Sequence, residues 1–262
     1  MKISCVQMNI LLASPDENFK SACRLISSAA ESGADVIVLP ETWNTGFFPK
    51  ENLEDYCDRN GTQVKSQIGA LAKEYSINIV AGSVADFRDG KVYNTSYVFE
   101  RRGECIAQYD KTHLFTPMGE DKYFRKGESL CRFELDGVPC GIIICYDLRF
   151  PELTRTLSLE GIDVLFLVAQ WPAARVNHLL ALSKARAIEN QMFLACCNSC
   201  GTAYDTIFGG NSCIYNPWGD SLAQAGETQT IISAECDLSV LKEIRETIDV
   251  FNDRRPALYH ID

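Results

Sequence analysis

Histidine is scarce in this chain. Only His113, His178 and His260 occur among 262 residues, and none sits where it would mark itself as a base, so a histidine-assisted nucleophile has little to draw on. Positive charge is also short: 25 Lys and Arg stand against 35 Asp and Glu, a formal charge of −10. That excludes the broad basic surface that nucleic acid or an anionic membrane requires. Long apolar runs are missing too. The longest, VLFLVA at 164–169, has the length of a strand and falls far short of a bilayer span. The N-terminal MKISCVQMN carries Gln7 and Asn9 where an export signal would be apolar. No linker, low-complexity tract or block of like charges divides the chain, so a single domain over 1–262 is expected, and the expected compartment is the cytoplasm.

Cysteine, by contrast, is plentiful, with twelve residues. Without an export signal they do not read as a disulfide scaffold. Cys5, Cys105, Cys196, Cys213 and Cys236 fall in alternating or apolar stretches, where cysteine acts as a small hydrophobe. Cys197 and Cys200 form a C-x-x-C with no second pair at ligand spacing and no histidine nearby. No metal site and no cofactor are expected. A thiol redox or metal-binding module is the remote alternative.

The order of elements reads as α/β. Ser14-Pro15-Asp16-Glu17 predicts a helix start, with Ser14 as N-cap and Glu17 closing a capping box. Phe19, Ala22, Leu25, Ile26 and Ala29 follow at helical spacing, and Gly33 ends the run. DVIVLP then predicts a buried strand and 63–75 a helix. INIVAGSV, VYNTSYVFE and CIAQYD predict successive strands with turns at Asp89-Gly90 and Arg102-Gly103. PCGIIIC, DVLFLVA and MFLACCN predict strands separated by helices over 151–160 and 174–190. Strands near 211–215 and 230–236, a short helix from 238 and an irregular tail complete the chain. One echo recurs: GADVIVLPETW (33–43) and GIDVLFLVAQW (161–171) each run from glycine through a buried strand to tryptophan. Two such halves suit two sheets packed face to face, with Glu41 and Gln170 near the carboxyl ends of strands, where α/β sites collect.

Three positions break the pattern in ways that fit one reaction. In GIIICYDLRFPEL, Cys145 ends an apolar strand, and Pro151-Glu152 signals a helix a few residues on. A tight strand-to-helix turn lifts a side chain into a cleft and aims backbone N–H groups at what binds there. Glu41 follows VIVLP, a carboxylate at the end of an apolar strand, and Lys111, in YDKTHLF, follows another strand, CIAQYD. Taken singly, strand-end charges are ordinarily solvated surface and a strand cysteine is ordinarily inert. Taken together, a lysine near a thiol would lower its pKa toward the thiolate, and a desolvated carboxylate can shuttle protons near neutral pH.

LPETWNTGF, YDKTHLF and CYDLRFPE, in this order and at these separations, resemble the Glu-Lys-Cys signature of the nitrilase superfamily, the carbon–nitrogen hydrolases. GSV at 82–84, YNT at 93–95, RAIENQ at 186–191 and NPWG at 216–219 extend the resemblance over essentially the whole chain. It implies a four-layer αββα sandwich, with two mixed sheets face to face and helices outside, assembled as a homodimer. It also implies Glu41 as general base and acid, Lys111 as the cation at the oxyanion, Cys145 as nucleophile and Glu120, in PMGEDKYF, as a further glutamate of the site. The backbone N–H of Tyr146 would join Lys111 at the oxyanion.

Tyr-Asp after the cysteine resembles the amidase side of the superfamily, and QWPAARVNH at 170–178 resembles the omega-amidases. A small-molecule amide carrying a distant carboxylate is thereby implied as substrate. Arg175 offers a planar fork for that carboxylate, though it also reads as a surface residue opening a helix. Trp171 and Trp43 are expected to wall the pocket. Arg149 is the rival arginine, expected instead to pair with Asp147 or Glu152. An N-carbamyl, deaminated-glutathione or aliphatic amidase is the alternative within the family.

Overall fold

Side-chain alternation along the strands builds the layers. In the strand Val36–Val38, Val36 and Val38 enter one core with Ile142, Ile144 and Leu165, while Ile37 and Leu39 enter another with Phe19, Ala22, Ile26, Val64 and Ile68. The second group belongs to helices Pro15–Glu31 and Thr62–Tyr75. One sheet is therefore covered by helices on one face and by a second sheet on the other. These observations come from a computed structural model that describes residues 1–259; His260 lies outside the described residues.

The first sheet runs Thr230–Glu235, Lys2–Gln7, Val36–Val38, Asn78–Val80, Lys91–Phe99, Val84–Arg88 and Asp58–Arg59, with Cys105–Asp110 also paired to Lys91–Phe99. The second runs Ser221–Gln224, Cys213–Tyr215, Phe193–Asn198, Val164–Ala169, Val138–Ile144 and Arg132–Leu135. Each has parallel strands at its centre flanked by antiparallel strands, and in the first sheet the edge strand Asp58–Arg59 pairs parallel with Val84–Arg88. Helices Pro151–Leu159 and Val176–Asn190 bring Leu153, Leu157, Leu179 and Ala187 onto the second sheet. The result is the αββα sandwich that the resemblance implies. The echoed segments, Val36–Val38 and Val164–Ala169, occupy central parallel strands of opposite sheets. Their carboxyl ends meet: the Glu41 N–H donates to Ala169 O at 3.3 Å.

Two local expectations change. The first helix starts at Pro15, but the Ser14 hydroxyl donates back to Leu12 O at 3.1 Å and caps nothing. Glu17 pairs with Lys20 at 2.8 Å instead. Asn18 takes over the junction, bonding Leu11 through both its amide atoms and reaching Asn44 O. INIVAGSV is not one strand, because Gly82 interrupts it at φ +59°. A Cβ there would lie 2.0 Å from Pro40 O, so only glycine lets the two backbones close. Ser83 N–H then holds Pro40 O at 3.0 Å, immediately before Glu41. The short strands Arg132–Leu135 and Ser221–Gln224 and the hairpin Cys200–Ala203/Thr206–Gly209 carry too few residues to show a period.

Candidate active site

Four chain segments converge at the floor of one cavity, each bringing one of the sequence-predicted polar residues. Glu41 follows Val36–Val38, Lys111 follows Cys105–Asp110, Glu120 opens the 3-10 turn Glu120–Lys122, and Cys145 follows Val138–Ile144. All are buried. Lys111 Nζ donates to Glu41 Oε1 at 2.7 Å and to Glu120 at 2.9 and 3.0 Å. Glu41 is held from two further sides, by Asn94 Nδ2 on Oε1 at 2.9 Å and by the Gln170 N–H on Oε2 at 2.8 Å. Glu120 Oε2 accepts the Phe115 N–H at 2.6 Å. Each carboxylate is thus placed by backbone and amide donors, and the ammonium by the two carboxylates, as buried ions must be.

Cys145 has φ +48°, a left-handed conformation that costs a non-glycine residue about 1–3 kcal/mol and collects at functional sites. It opens the turn Cys145–Arg149, ahead of the helix that begins at Pro151. First-turn N–H groups have no intrahelical acceptor, and the Tyr146 N–H belongs to this first turn. The RAIENQ segment supports the turn from outside: Arg186 Nη2 donates to Leu148 O at 3.0 Å and Asn190 Nδ2 to Arg186 O at 3.0 Å. NPWG is a tight turn in which Asn216 Oδ1 accepts two N–H groups, far from the chemistry.

Lys111 does pull the Cys145 pKa down, as expected, but it is outweighed. Burial and the adjacent Glu41 carboxylate push the thiol well above its ordinary pKa, and Lys111 opposes them only in part. Its charge is already shared by two carboxylates. For Lys111 itself, burial favours the neutral amine, but Glu120, Glu41 and Cys145 outweigh it and hold the ammonium well above its ordinary value. Burial, helped by Glu41, raises Glu120 against the pull of Lys111. The resting site therefore presents a thiol beside a fixed carboxylate and a locked ammonium.

Above this floor the cavity is apolar, with Phe47, Phe48, Phe115, Met118 and Trp171 on its walls and Arg149 and Arg175 on its rim. Tyr146 lines it as well, edge-on to Phe115 at 4.9 Å. Trp171 is fixed by its indole N–H on Arg175 O at 2.8 Å. Trp43 is not part of the wall. It is fully buried on the helix side of the first sheet, edge-on to Phe19 at 4.6 Å, with its indole N–H on Ala81 O at 2.7 Å. The reason is its position two residues past Glu41, where the turn swings the ring to the opposite side.

Arg149 also departs from expectation. It pairs with neither Asp147 nor Glu152; among the described residues, neither it nor Arg175 has a carboxylate within salt-bridge distance. Its guanidinium lies over the Trp171 ring at 4.9 Å and near His178 Nδ1 at 3.2 Å. Arg175 lies over Phe115 at 5.5 Å. Phe47, Phe48, Phe115 and Met118 on the wall and the role of Asn94 escaped the sequence reading. YNT carried the signal for Asn94, but nothing in the pattern says that an amide in a strand interior faces a carboxylate 53 residues earlier.

The whole arrangement matches a known family. The carbon–nitrogen hydrolase family model covers residues 2–246, and the chain belongs to that family. Among its relatives, a 2-oxoglutaramate amidase of Bacillus subtilis is 44% identical, with 98% of each chain covered. An omega-amidase of Xenopus tropicalis is 34% identical over 100% of this chain and 97% of its own. Among solved structures, a CN-hydrolase superfamily protein from Xanthomonas campestris, with an arsenic adduct in its active site, superposes with a TM-score of 0.91 at 26% identity. That match covers 100% of this chain and 99% of the other. A nitrilase-superfamily protein of Saccharomyces cerevisiae gives 0.90 at 26% identity, over 97% and 96%.

Proposed function

We propose that this chain is an omega-amidase that hydrolyses the terminal amide of a small carboxylate-bearing substrate such as 2-oxoglutaramate or 2-oxosuccinamate. The observation that carries the reading is the pairing of a closed Glu41–Lys111–Glu120–Cys145 floor with two arginines on the rim that have no acidic partner. The floor suits amide cleavage, and the rim suits a substrate whose far end is an anion. The 2-oxoglutaramate amidase and omega-amidase relatives support the same choice.

In this mechanism Cys145 Sγ attacks the amide carbonyl carbon as its proton passes to Glu41. Lys111 and the Tyr146 N–H take the oxyanion; loss of one such donor typically raises a barrier by about 2.7–4 kcal/mol. Glu41 then returns the proton to the departing nitrogen, the C–N bond breaks, and ammonia leaves a thioester on Cys145. Water, deprotonated by Glu41, attacks that thioester; the C–S bond breaks, the acid is released and the thiol regains its proton. Glu120 holds Lys111 in place and, with Asn94, keeps Glu41 aimed. Arg175 takes the distal carboxylate, with Arg149 beside it. No cofactor or metal enters these steps. We further take residues 1–262 as a single catalytic domain, assembled as a homodimer in the cytoplasm and binding no nucleic acid. No helix among the described residues is long and apolar enough to cross a membrane.

Ammonia release measured over a panel of amides tests the reading. The expected outcome is strong preference for 2-oxoglutaramate over neutral amides of equal length and over carbamoyl compounds. Preference for a carbamoyl compound or a neutral amide would move the chain to another branch.

A further inference from the structure

Asp147 stands two residues beyond Cys145, fully buried and outside the cavity lining. The mechanism above does not use it, yet its carboxylate is saturated. Oδ2 accepts the Ile144 N–H at 2.9 Å and the Tyr109 hydroxyl at 2.8 Å. Oδ1 accepts the Thr112 hydroxyl at 3.0 Å and the His113 N–H at 2.9 Å, and faces His113 Nδ1 at 2.8 Å. A carboxylate offers about four acceptor sites, so these four donors fill it, with His113 Nδ1 beside them.

The donors come from two places only. Ile144 immediately precedes the nucleophile. Tyr109, Thr112 and His113 bracket Lys111 from both sides. The His113 ring also stacks on Phe150, at the end of the Cys145 turn, with centroids 3.7 Å apart. Lys111 and Cys145 come from different sheets, and nothing in either strand's own pairing fixes the spacing between them. We propose that Asp147 is a positioning residue that joins the Lys111 loop to the Cys145 elbow and sets the spacing between ammonium and sulfur. The proposal rests on the amidase reading for its kinetic consequence, but its structural consequence is independent of any substrate.

Asp147→Asn conserves shape and removes half the acceptor capacity. The new amide must turn its N–H₂ either toward Ile144 and Tyr109 or toward Thr112 and His113, so one side of the joint opens. In the full-length protein, assayed well below melting, kcat is expected to fall by about a hundredfold, the cost of a misplacement near 1 Å, while KM stays near the wild-type value. Backbone hydrogen exchange at Ile144 or His113 should rise. Tyr109→Phe and Thr112→Val each remove one donor and should lower kcat less. Combined with Asp147→Asn they should add little, because residues acting through one group are not additive. A merely structural Asp147 would lower the melting temperature but leave the kcat of the folded enzyme unchanged, and that result would overturn the proposal, as would additive losses. If Asp147→Asn does not fold, the Tyr109→Phe/Thr112→Val pair decides: unchanged kcat rejects the joint. A wild type that releases no ammonia from any amide would sink the functional reading alone, leaving the exchange measurement to test Asp147.

Discussion

The backbone N–H of Gln170 donates to Glu41 Oε2 at 2.8 Å, and Thr42 Oγ1 donates to Gln170 Oε1 at 2.9 Å. These residues end the two echoed segments, one in each sheet. The proposed base is therefore held where the two halves of the sandwich touch. Its geometry depends on the packing of both sheets rather than on one loop, and the two sheets share an apolar core.

Cys145 is expected to be the one essential thiol among twelve. Cys145→Ala should abolish turnover with the fold retained, and mass spectrometry of quenched wild-type enzyme should find an acyl adduct on this residue. Because burial and Glu41 raise the thiol, the wild type should show no more thiolate absorbance than Cys145→Ala near neutral pH. A thiolate signal there would contradict the in-flight proton transfer. Dialysis against a chelator should leave the rate unchanged.

Lys111→Met tests the ionic floor. It leaves Glu41 and Glu120, which already share Asn94 as a donor, buried without their cation. Breaking a buried pair from one side costs about 3–5 kcal/mol, so the variant should be inactive and melt lower. Burial and the neighbouring Glu41 already raise the folded-state pKa of Glu120 above the unfolded value, and loss of Lys111, which lowers it, raises it further. The folded state then binds the proton first. The stability of Lys111→Met should consequently rise as pH falls from the raised folded value toward the ordinary carboxylate value. Lys111→Met/Glu120→Gln should recover stability without turnover. A variant whose melting temperature ignores pH in that interval would refute the account.

Arg175→Ala should lower kcat/KM on 2-oxoglutaramate by on the order of tenfold to a hundredfold, since a hydrogen bond to a charged group is worth roughly 1.5–3 kcal/mol. Lysine should restore only part, because it keeps the charge without the fork. The ratio of acid to neutral amide, measured in wild type and in Arg149→Ala and Arg175→Ala, assigns the carboxylate. Equal slowing of both substrates by Arg175→Ala, with selective loss in Arg149→Ala, would transfer the role to Arg149.

Trp43 and Trp171 should separate stability from catalysis. Trp43→Phe removes the bond to Ala81 O and some packing, so the melting temperature should fall while KM holds. Trp171→Phe removes the bond to Arg175 O and a face under Arg149, so KM for the acid should rise. Kinetic effects of equal size at both positions would mean that the core transmits Trp43 to the cavity.

Local pattern made much of this protein legible. Apolar runs of strand length, helical spacing from Phe19 to Ala29 and the glycine that ends it are properties of neighbouring residues, and the helices and central strands stand where they were expected. Glu41 and Cys145 were visible for a similar reason, since each stands at the end of an apolar strand, whereas Lys111 follows the more exposed strand Cys105–Asp110 and was picked out by YDKTHLF. Other features were decided only by tertiary structure. Which way a ring turns after a strand, as with Trp43, depends on what the opposite layer offers. Whether Arg149 finds an acid depends on Asp147, whose acceptors are already filled by donors from Tyr109 to His113. The protonation of Cys145 likewise follows from burial and from how many carboxylates share one lysine. Those are sums over groups distant in the chain, so no local pattern carries them.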